Sequence, residues 1–238
     1  MDNGKIYMIP NTLGGESTKD IIPQEVADKA ISLRAFAVED LKSARRLLRK
    51  IDREFPIDKC EFYLLNKRTP IEDLHKMLKV ISRGDDLGVI SEAGCPGVAD
   101  PGAELVALAQ QRDIEIVPLV GPTSIILALM ASGFSGQTFT FHGYLPKERK
   151  DRIRKLKDFE GDARRSGYTH IFMDTPFRNM NVLDDLMKEL ADTTMLCIAC
   201  NITLQYETIK TMSVKEWKTK EFDLSKSPTM FLIGASQI

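Results

Sequence analysis

Short apolar runs alternate, through the first half of the chain, with longer stretches whose apolar residues recur every three or four positions. KIYMI (5–9), LRAFAV (33–38), EFYLL (61–65), LGVIS (87–91) and IEIVPLV (114–120) carry the strand pattern. DLKSARRLLRKI, PIEDLHKMLKVIS and GAELVALAQQ, lying between them, carry the helical one. This β-α-β-α alternation predicts a mostly parallel sheet wrapped by helices.

After Gly121 the pattern changes. PTSIILALMASG reads as a helix with hydroxyls at its start and Gly133 just past its end. TFTFHGYL follows as a strand, PKERKDRIRKLKDFEGDARR as a charged helix, YTHIFMD as a strand and FRNMNVLDDLMKELAD as a helix. TMLCIAC, QYETIKTMS and SPTMFLIGA close the chain as three strands without long helices between them, which predicts antiparallel pairing. The expectation is an α/β protein of two domains, 1–118 with a mostly parallel sheet and 119–238 with a mixed one. No internal repeat or low-complexity linker interrupts it.

Composition changes this picture little. The 238 residues include 33 Lys plus Arg against 34 acids, so no global charge drives the chain toward a polyanion, and such a partner needs a local patch. No apolar run reaches the roughly 20 residues of a membrane span. MDNGKIYMIP lacks the charged head and apolar centre of a signal peptide, and four cysteines make no disulfide framework. The expected setting is the cytoplasm, without a membrane partner. Cys197 and Cys200 sit three apart in a strand pattern, facing opposite sides, and read as buried small hydrophobes. The histidines are scattered and no metal site is expected.

The stretch SEAGCPGVADPG, Ser91 to Gly102, asks for more than a turn. Asp100-Pro101-Gly102 is explained as a helix start, an acidic N-cap followed by proline at the first helical position. AGCPG is not. Loops at the C-terminal ends of parallel strands are where ligands bind, and glycines let backbone approach a ligand closely. A second helix start, Gly121-Pro122-Thr123-Ser124, offers free N–H groups and hydroxyls to a carboxylate or phosphate. Ordinary turns remain the other reading of both segments.

SEAGCPGVADPGAELV, IEIVPLVGPTSIILALMASG and FHGYLPK, taken in order, resemble the tetrapyrrole methylase superfamily. They are most similar to its bacterial branch that methylates a ribose 2′-hydroxyl of small-subunit ribosomal RNA. Gly143-Tyr144-Leu145-Pro146-Lys147, then Arg152 and Leu156, and Thr175-Pro176-Phe177-Arg178 extend the match, which runs from about residue 87 to 178. The resemblance implies two αβα domains with a cofactor cleft between them, a homodimer, and S-adenosylmethionine as cofactor. It places cofactor contacts at Pro10, Ala93, Gly94, Cys95, Val98, Thr123, Ser124, Met173, Pro228 and Thr229. The methyl group of that cofactor is already activated, so the protein mainly has to place the nucleophile.

The departures from the pattern cluster where substrate is expected. The first loop, IPNTLGGESTKDIIP, keeps Pro10 and Asp20 but changes their spacing. A-E-D-T-R becomes Val38-Glu39-Asp40-Leu41-Lys42, and a histidine-rich acidic segment becomes Leu64-Leu65-Asn66-Lys67-Arg68. Glu92 stands where aspartate is usual and Cys95 where threonine is usual. A ribose hydroxyl is a poor nucleophile at neutral pH, which makes Glu39 and Asp40 candidates for orienting or deprotonating it. The other reading is that both acids complement the dipole of the helix they precede. Asp174, at a strand end, is open between a structural and a ligand role.

Lys147 to Lys157 carries seven basic residues against two acids. Such a run neutralises RNA phosphates or serves as a solvated helix face. The resemblance at Lys147, Arg152 and Arg178 points to substrate binding there. Three functions follow: a methyltransferase of ribosomal RNA, one of tetrapyrroles or other small molecules, or a non-catalytic cofactor-binding or interaction protein.

Overall fold

The computed structural model describes residues 4–235, so the first three and last three residues lie outside it. The chain divides between Thr123 and Ser124 into two compact units.

The first unit is built on a five-stranded, wholly parallel sheet in the order β3-β2-β4-β1-β5. Its strands are β1 (Ile6–Ile9), β2 (Ala35–Val38), β3 (Glu61–Leu64), β4 (Leu87–Ile90) and β5 (Ile116–Pro118). The central strands β2 and β4 are buried along their whole length, as a sheet covered on both faces requires. Helices α1 (Gln24–Ser32), α2 (Leu41–Ile51), α3 (Ile71–Ser82) and α4 (Ala103–Gln110) provide the cover. One core gathers Leu74, Met77, Leu78 and Ile81 of α3 with Leu105 and Ala109 of α4. A second gathers Val26 and Ala30 of α1 with Leu47 and Leu48 of α2, around Phe36 and Phe55.

Two details depart from expectation. Helix α1 carried no clear pattern in the sequence. The start of α4 is also different: its N-cap is Gly102 at φ 130°, with no side-chain cap, so Asp100 does not cap the helix. Asp100 and Pro101 lie in the turn before it.

The second unit holds a mixed sheet in the order β6-β7-β10-β8-β9. Strands β6 (Phe139–Tyr144) and β7 (Thr169–Met173) run parallel, while β10 (Thr229–Gly234) is antiparallel to β7 and β8 (Met195–Cys200). β9 (Thr208–Ser213) closes the edge antiparallel to β8, as the run of strands without long helices implied. Around it lie α5 (Ser124–Ser132), α6 (Arg149–Ser166), α7 (Asn179–Glu189) and the short α8 (Val214–Trp217). Gly133, at φ 74°, ends α5 as expected. Cys197 and Cys200 are buried free thiols, and burial pushes Cys197 up to about 11. No helix among the described residues is long and apolar enough to cross a membrane.

Candidate functional site

In the first unit, all five parallel strands deliver their following loops to one sheet edge. Three of those loops are locked together through backbone. Asn11, two residues after β1, exchanges both main-chain hydrogen bonds with Gly94, at 2.9 and 3.1 Å. Its side-chain Nδ2 also donates to Ser91 O at 3.1 Å and Glu92 O at 2.9 Å. From within the β4 loop, the Ser91 hydroxyl donates to Gly94 O at 2.9 Å. The Cys95 thiol lies 3.5 Å from Pro122 O, which joins the β5 loop to the same cluster. Gly94 itself adopts φ +70°, and a Cβ there would meet Leu13 Cδ2 at 3.3 Å and Pro122 O at 3.4 Å. The glycine of SEAGCPG is thus explained by a left-handed turn and close neighbours on both sides.

The expected cofactor residues of this unit, Pro10, Ala93, Gly94, Cys95, Val98 and Thr123, lie on these three loops. Pro10 and Gly94 are buried framework, whereas Ala93 and Val98 are exposed. The sequence reading missed Asn11, which holds the loop together; nothing local in the sequence marks that role.

The acids behave differently from one another. Asp40 is the N-cap of α2, its Oδ1 accepting from Ser43 N at 2.7 Å, the role of the helix-start reading. Glu39, the last residue before that cap, has a buried Oε2 with no hydrogen-bond partner. Burial raises its pKa, and Asp100 and Glu92 raise it further, while Lys67 opposes them. Asp100 is raised in the same way, by burial and then by Glu92, again opposed by Lys67. The loops after β2, β3 and β4 therefore form one electrostatic group. Lys67 and Asp100 also line a cavity of about 180 Å³ with Asn66, Pro101, Gly102 and Glu104. The LLNKR segment thus supplies a cation to this group.

In the second unit, Met173 ends β7 directly opposite Met230 of β10, so Thr229 and Pro228 come to the same sheet edge. Asp174 follows, its side chain fully buried. Its Oδ1 accepts from Thr175 N and from Arg178 Nε at 2.7 Å, and Arg178 also donates to Leu145 O at 3.2 Å. Asn179 Nδ2 donates to Ser227 O at 2.8 Å, tying α7 to the segment before β10. Asp174 Oδ2, Arg178 Nη1 and Asn179 Oδ1 are buried without partners. Ser124 begins α5.

Of the expected substrate contacts, Lys147 is exposed. Arg152 is not: its side chain is 7% exposed and its Nε and Nη2 both meet Asp185 Oδ2 at 2.8 Å. Its Nη1 donates to Lys147 O at 3.0 Å. The acid that recruits it, on α7, is far away in sequence. A phosphate could reach this guanidinium only by displacing a buried carboxylate.

In the first unit, Glu39 Oε2 after β2, and separately in the second, Asp174 Oδ2 after β7 and Asn179 Oδ1 at the start of α7, are buried acceptors without donors, each suited to an N–H or O–H group of a ligand. S-adenosylmethionine, with ribose hydroxyls and two amino groups, is such a ligand. No group of three or more metal-ligating side chains is present among the described residues.

A family model for Tetrapyrrole (Corrin/Porphyrin) Methylases matches residues 31–218. The chain is 29% identical over 231 residues to Ribosomal RNA small subunit methyltransferase I of Vibrio cholerae, covering 96% of this chain and 76% of that protein. It is 28% identical to the protein of the same name from Escherichia coli O157:H7, over 97% of this chain and 77% of that one. Among solved structures it is similar to the methyltransferase CobJ, with TM-score 0.63 at 17% identity over 98% and 95% of the two chains. It is also similar to cobalt precorrin-4 methyltransferase CbiF, with TM-score 0.62 at 18% identity over 97% and 94%. At those identities the two structures share the fold.

Proposed function

As the chain belongs to the tetrapyrrole (corrin/porphyrin) methylase family, and is thereby an S-adenosylmethionine-dependent methyltransferase, we propose that it methylates a ribose hydroxyl of small-subunit ribosomal RNA. The observation that carries this reading is similarity over nearly the whole chain to proteins named as ribosomal RNA small subunit methyltransferases; the ribose hydroxyl is what the resemblance of the motifs implies. The reading implies work in the cytoplasm, where ribosomal subunits are found, and a homodimer as in the family it resembles.

When bound, the cofactor supplies a methyl group already activated by its sulfonium. The protein must then place the hydroxyl and take its proton. Glu39 is the better of the two candidate bases, because Asp40 is engaged as a helix cap while Glu39 keeps a partnerless oxygen and a raised pKa. A carboxylate shifted toward neutrality accepts a proton more effectively than an ordinary one. Cofactor contacts are assigned on each unit by itself: Pro10, Ala93, Gly94, Cys95, Val98 and Thr123 on the first, and Ser124, Met173, Pro228 and Thr229 on the second. Lys147 and Arg178 are assigned to substrate, and Arg152 to holding the Pro146-Lys147 segment in place.

The test is methyl transfer from labelled S-adenosylmethionine to isolated small ribosomal subunits. Transfer should fall at least about 100-fold in Glu39→Gln, the scale of a lost general base, and persist in Asp40→Ser, which keeps a capping oxygen. Transfer to a precorrin-type acceptor and not to RNA would overturn the reading.

A further inference from the structure

The richest cationic segment in the sequence is α6, yet its charge is largely neutralised. Arg149 meets Asp185 and Glu189, Arg152 meets Asp185, and Arg154 meets Asp151. Lys157 meets Glu189, Arg164 meets Glu160, and Arg165 meets Asp162. Lys155 lies over the ring of Phe159. Of the cations within α6, only Lys150 and Lys155 lack an ion pair among the described residues.

Helix α2 is the opposite case. Leu41 to Arg53 carries Lys42, Arg45, Arg46, Arg49, Lys50 and Arg53, and Asp52 is its only acid. None of these six cations is in an ion pair among the described residues. Arg49 donates to Arg53 O, Lys50 to Gly15 O at 2.5 Å, and Arg45 lies over the ring of Phe62. Lys42, Arg45, Arg46, Arg49 and Lys50 lie within the helix at spacings that include three and four, so these five share one face, while Ala44, Leu47 and Leu48 bury the other; Arg53 follows just past the helix end. Five of the six are exposed and Lys50 is half-buried. From Lys42 to Lys50 the stripe runs about 12 Å at 1.5 Å per residue. It borders a cavity of about 290 Å³ lined by Asn11, Thr12, Gly14, Ser43, Arg46 and Lys50, among others. That cavity begins at the same β1 loop that Asn11 fastens to Gly94.

We propose that the α2 stripe, rather than α6, is the surface that holds the RNA phosphate backbone. This rests on the reading of the substrate as ribosomal RNA and names the docking surface for it. A folded protein that gathers five cations without an ion pair on one helix face pays in self-repulsion unless a polyanion covers them. A phosphate chain meets that face continuously, releasing counterions as it binds. In α6 the corresponding charges are already covered by carboxylates of the same unit, so binding RNA there would mean breaking those pairs.

The experiment measures binding of the full chain to a fluorescein-labelled single-stranded oligoribonucleotide across a salt series, beside methyl transfer to small ribosomal subunits. Lys42→Glu/Arg46→Glu/Arg49→Glu should weaken binding at least about tenfold, and reduce the slope of log affinity against log salt by about 2, near 0.7 for each phosphate no longer neutralised. Lys150→Glu/Arg154→Glu/Arg165→Glu, with the same change in charge, should weaken it less than about threefold. Retained S-adenosylmethionine binding and melting temperature establish that each variant is folded. Should charge reversal unfold α2, Lys42→Gln/Arg46→Gln/Arg49→Gln replaces it, and protection of Lys42 from acetylation by the RNA is read on the unmodified protein. Unchanged affinity and slope in the α2 variants, with RNA still methylated, overturns the docking surface and leaves the activity standing. A wild-type protein that neither binds nor methylates RNA overturns both.

Discussion

Gly121 lies so close to Pro10 that a Cβ on the glycine would stand 2.2 Å from the proline Cβ. No L-residue side chain fits there without moving backbone. Gly121→Ala is therefore expected to push the β5 loop off the β1 loop, at a cost of about 1–3 kcal/mol from overpacking. Chemical denaturation gives the stability. Calorimetry should show weakened S-adenosylmethionine binding even at temperatures where the variant remains folded.

Asn11 donates to two carbonyls, Ser91 O and Glu92 O, through one nitrogen. Asn11→Asp keeps size and shape but replaces those donors with a carboxylate facing the same carbonyls. A loss of about 1–3 kcal/mol is expected for carbonyls left without donors, with a further penalty for the charge. Asn11→Ala should lose less stability than Asn11→Asp. Denaturation of both variants in parallel decides this, and the reverse order would mean that the amide does not hold the loop.

Arg152 and Asp185 form a buried pair whose halves are not equivalent to remove. Asp185→Ala leaves a buried guanidinium without its carboxylate and should cost about 3–5 kcal/mol. Arg152→Met, which brings an apolar chain and lets Asp185 keep exposed Arg149 at 2.8 Å, should cost clearly less. If Arg152 acted chiefly on RNA, Arg152→Met would instead lose RNA affinity at full stability, which the salt series above would detect.

His142 Nε2 and His170 Nδ1 are 3.0 Å apart, and both rings stack with Phe159. Burial, then the neighbouring His170 and Lys155, pushes His142 down to about 4. His170 is lowered by burial and by Lys155, against the pull of Asp162 at 3.1 Å. A base whose folded pKa lies below its unfolded value binds protons preferentially in the unfolded chain. This stabilisation is complete above the ordinary histidine pKa near 6.5 and is lost as the pH falls from there toward about 4. Denaturation midpoints measured from pH 7.5 to pH 4.5 should fall in the wild type. In His142→Phe the fall should be shallower, and an identical slope would exclude the pair as its source.

The strands were legible because buried parallel strands leave continuous apolar runs, as AFAV and LGVI do. Helix α1 was not, since its buried face consists of only Val26, Ala27 and Ala30, too small and too few to show a period. The reading of Asp100 as a cap followed a sound local rule, but Gly102 accepts a backbone conformation that proline at the first helical position does not need. The burial of Arg152 had no local sign at all, because its partner is 33 residues away. The basic run of α6 drew the phosphate reading in the sequence, and that of α2 drew none. Part of what neutralises α6 lies within it, in Asp151, Glu160 and Asp162, and part, Asp185 and Glu189, on another helix that a local reading does not reach.

The β4 loop is held mainly by contacts that no substitution at Glu92 or Ala93 touches: carbonyls of residues 91 and 92, and the amide and carbonyl of residue 94. At Glu92 and Ala93 its contour is written in main chain, and the lettering of those two side chains is free of it. Exchange of an aspartate for Glu92 between relatives therefore alters what the loop can do chemically without altering where it stands. An enzyme arranged this way can change its acceptor by drift along a fixed platform, one side chain at a time, with no refitting of the scaffold beneath.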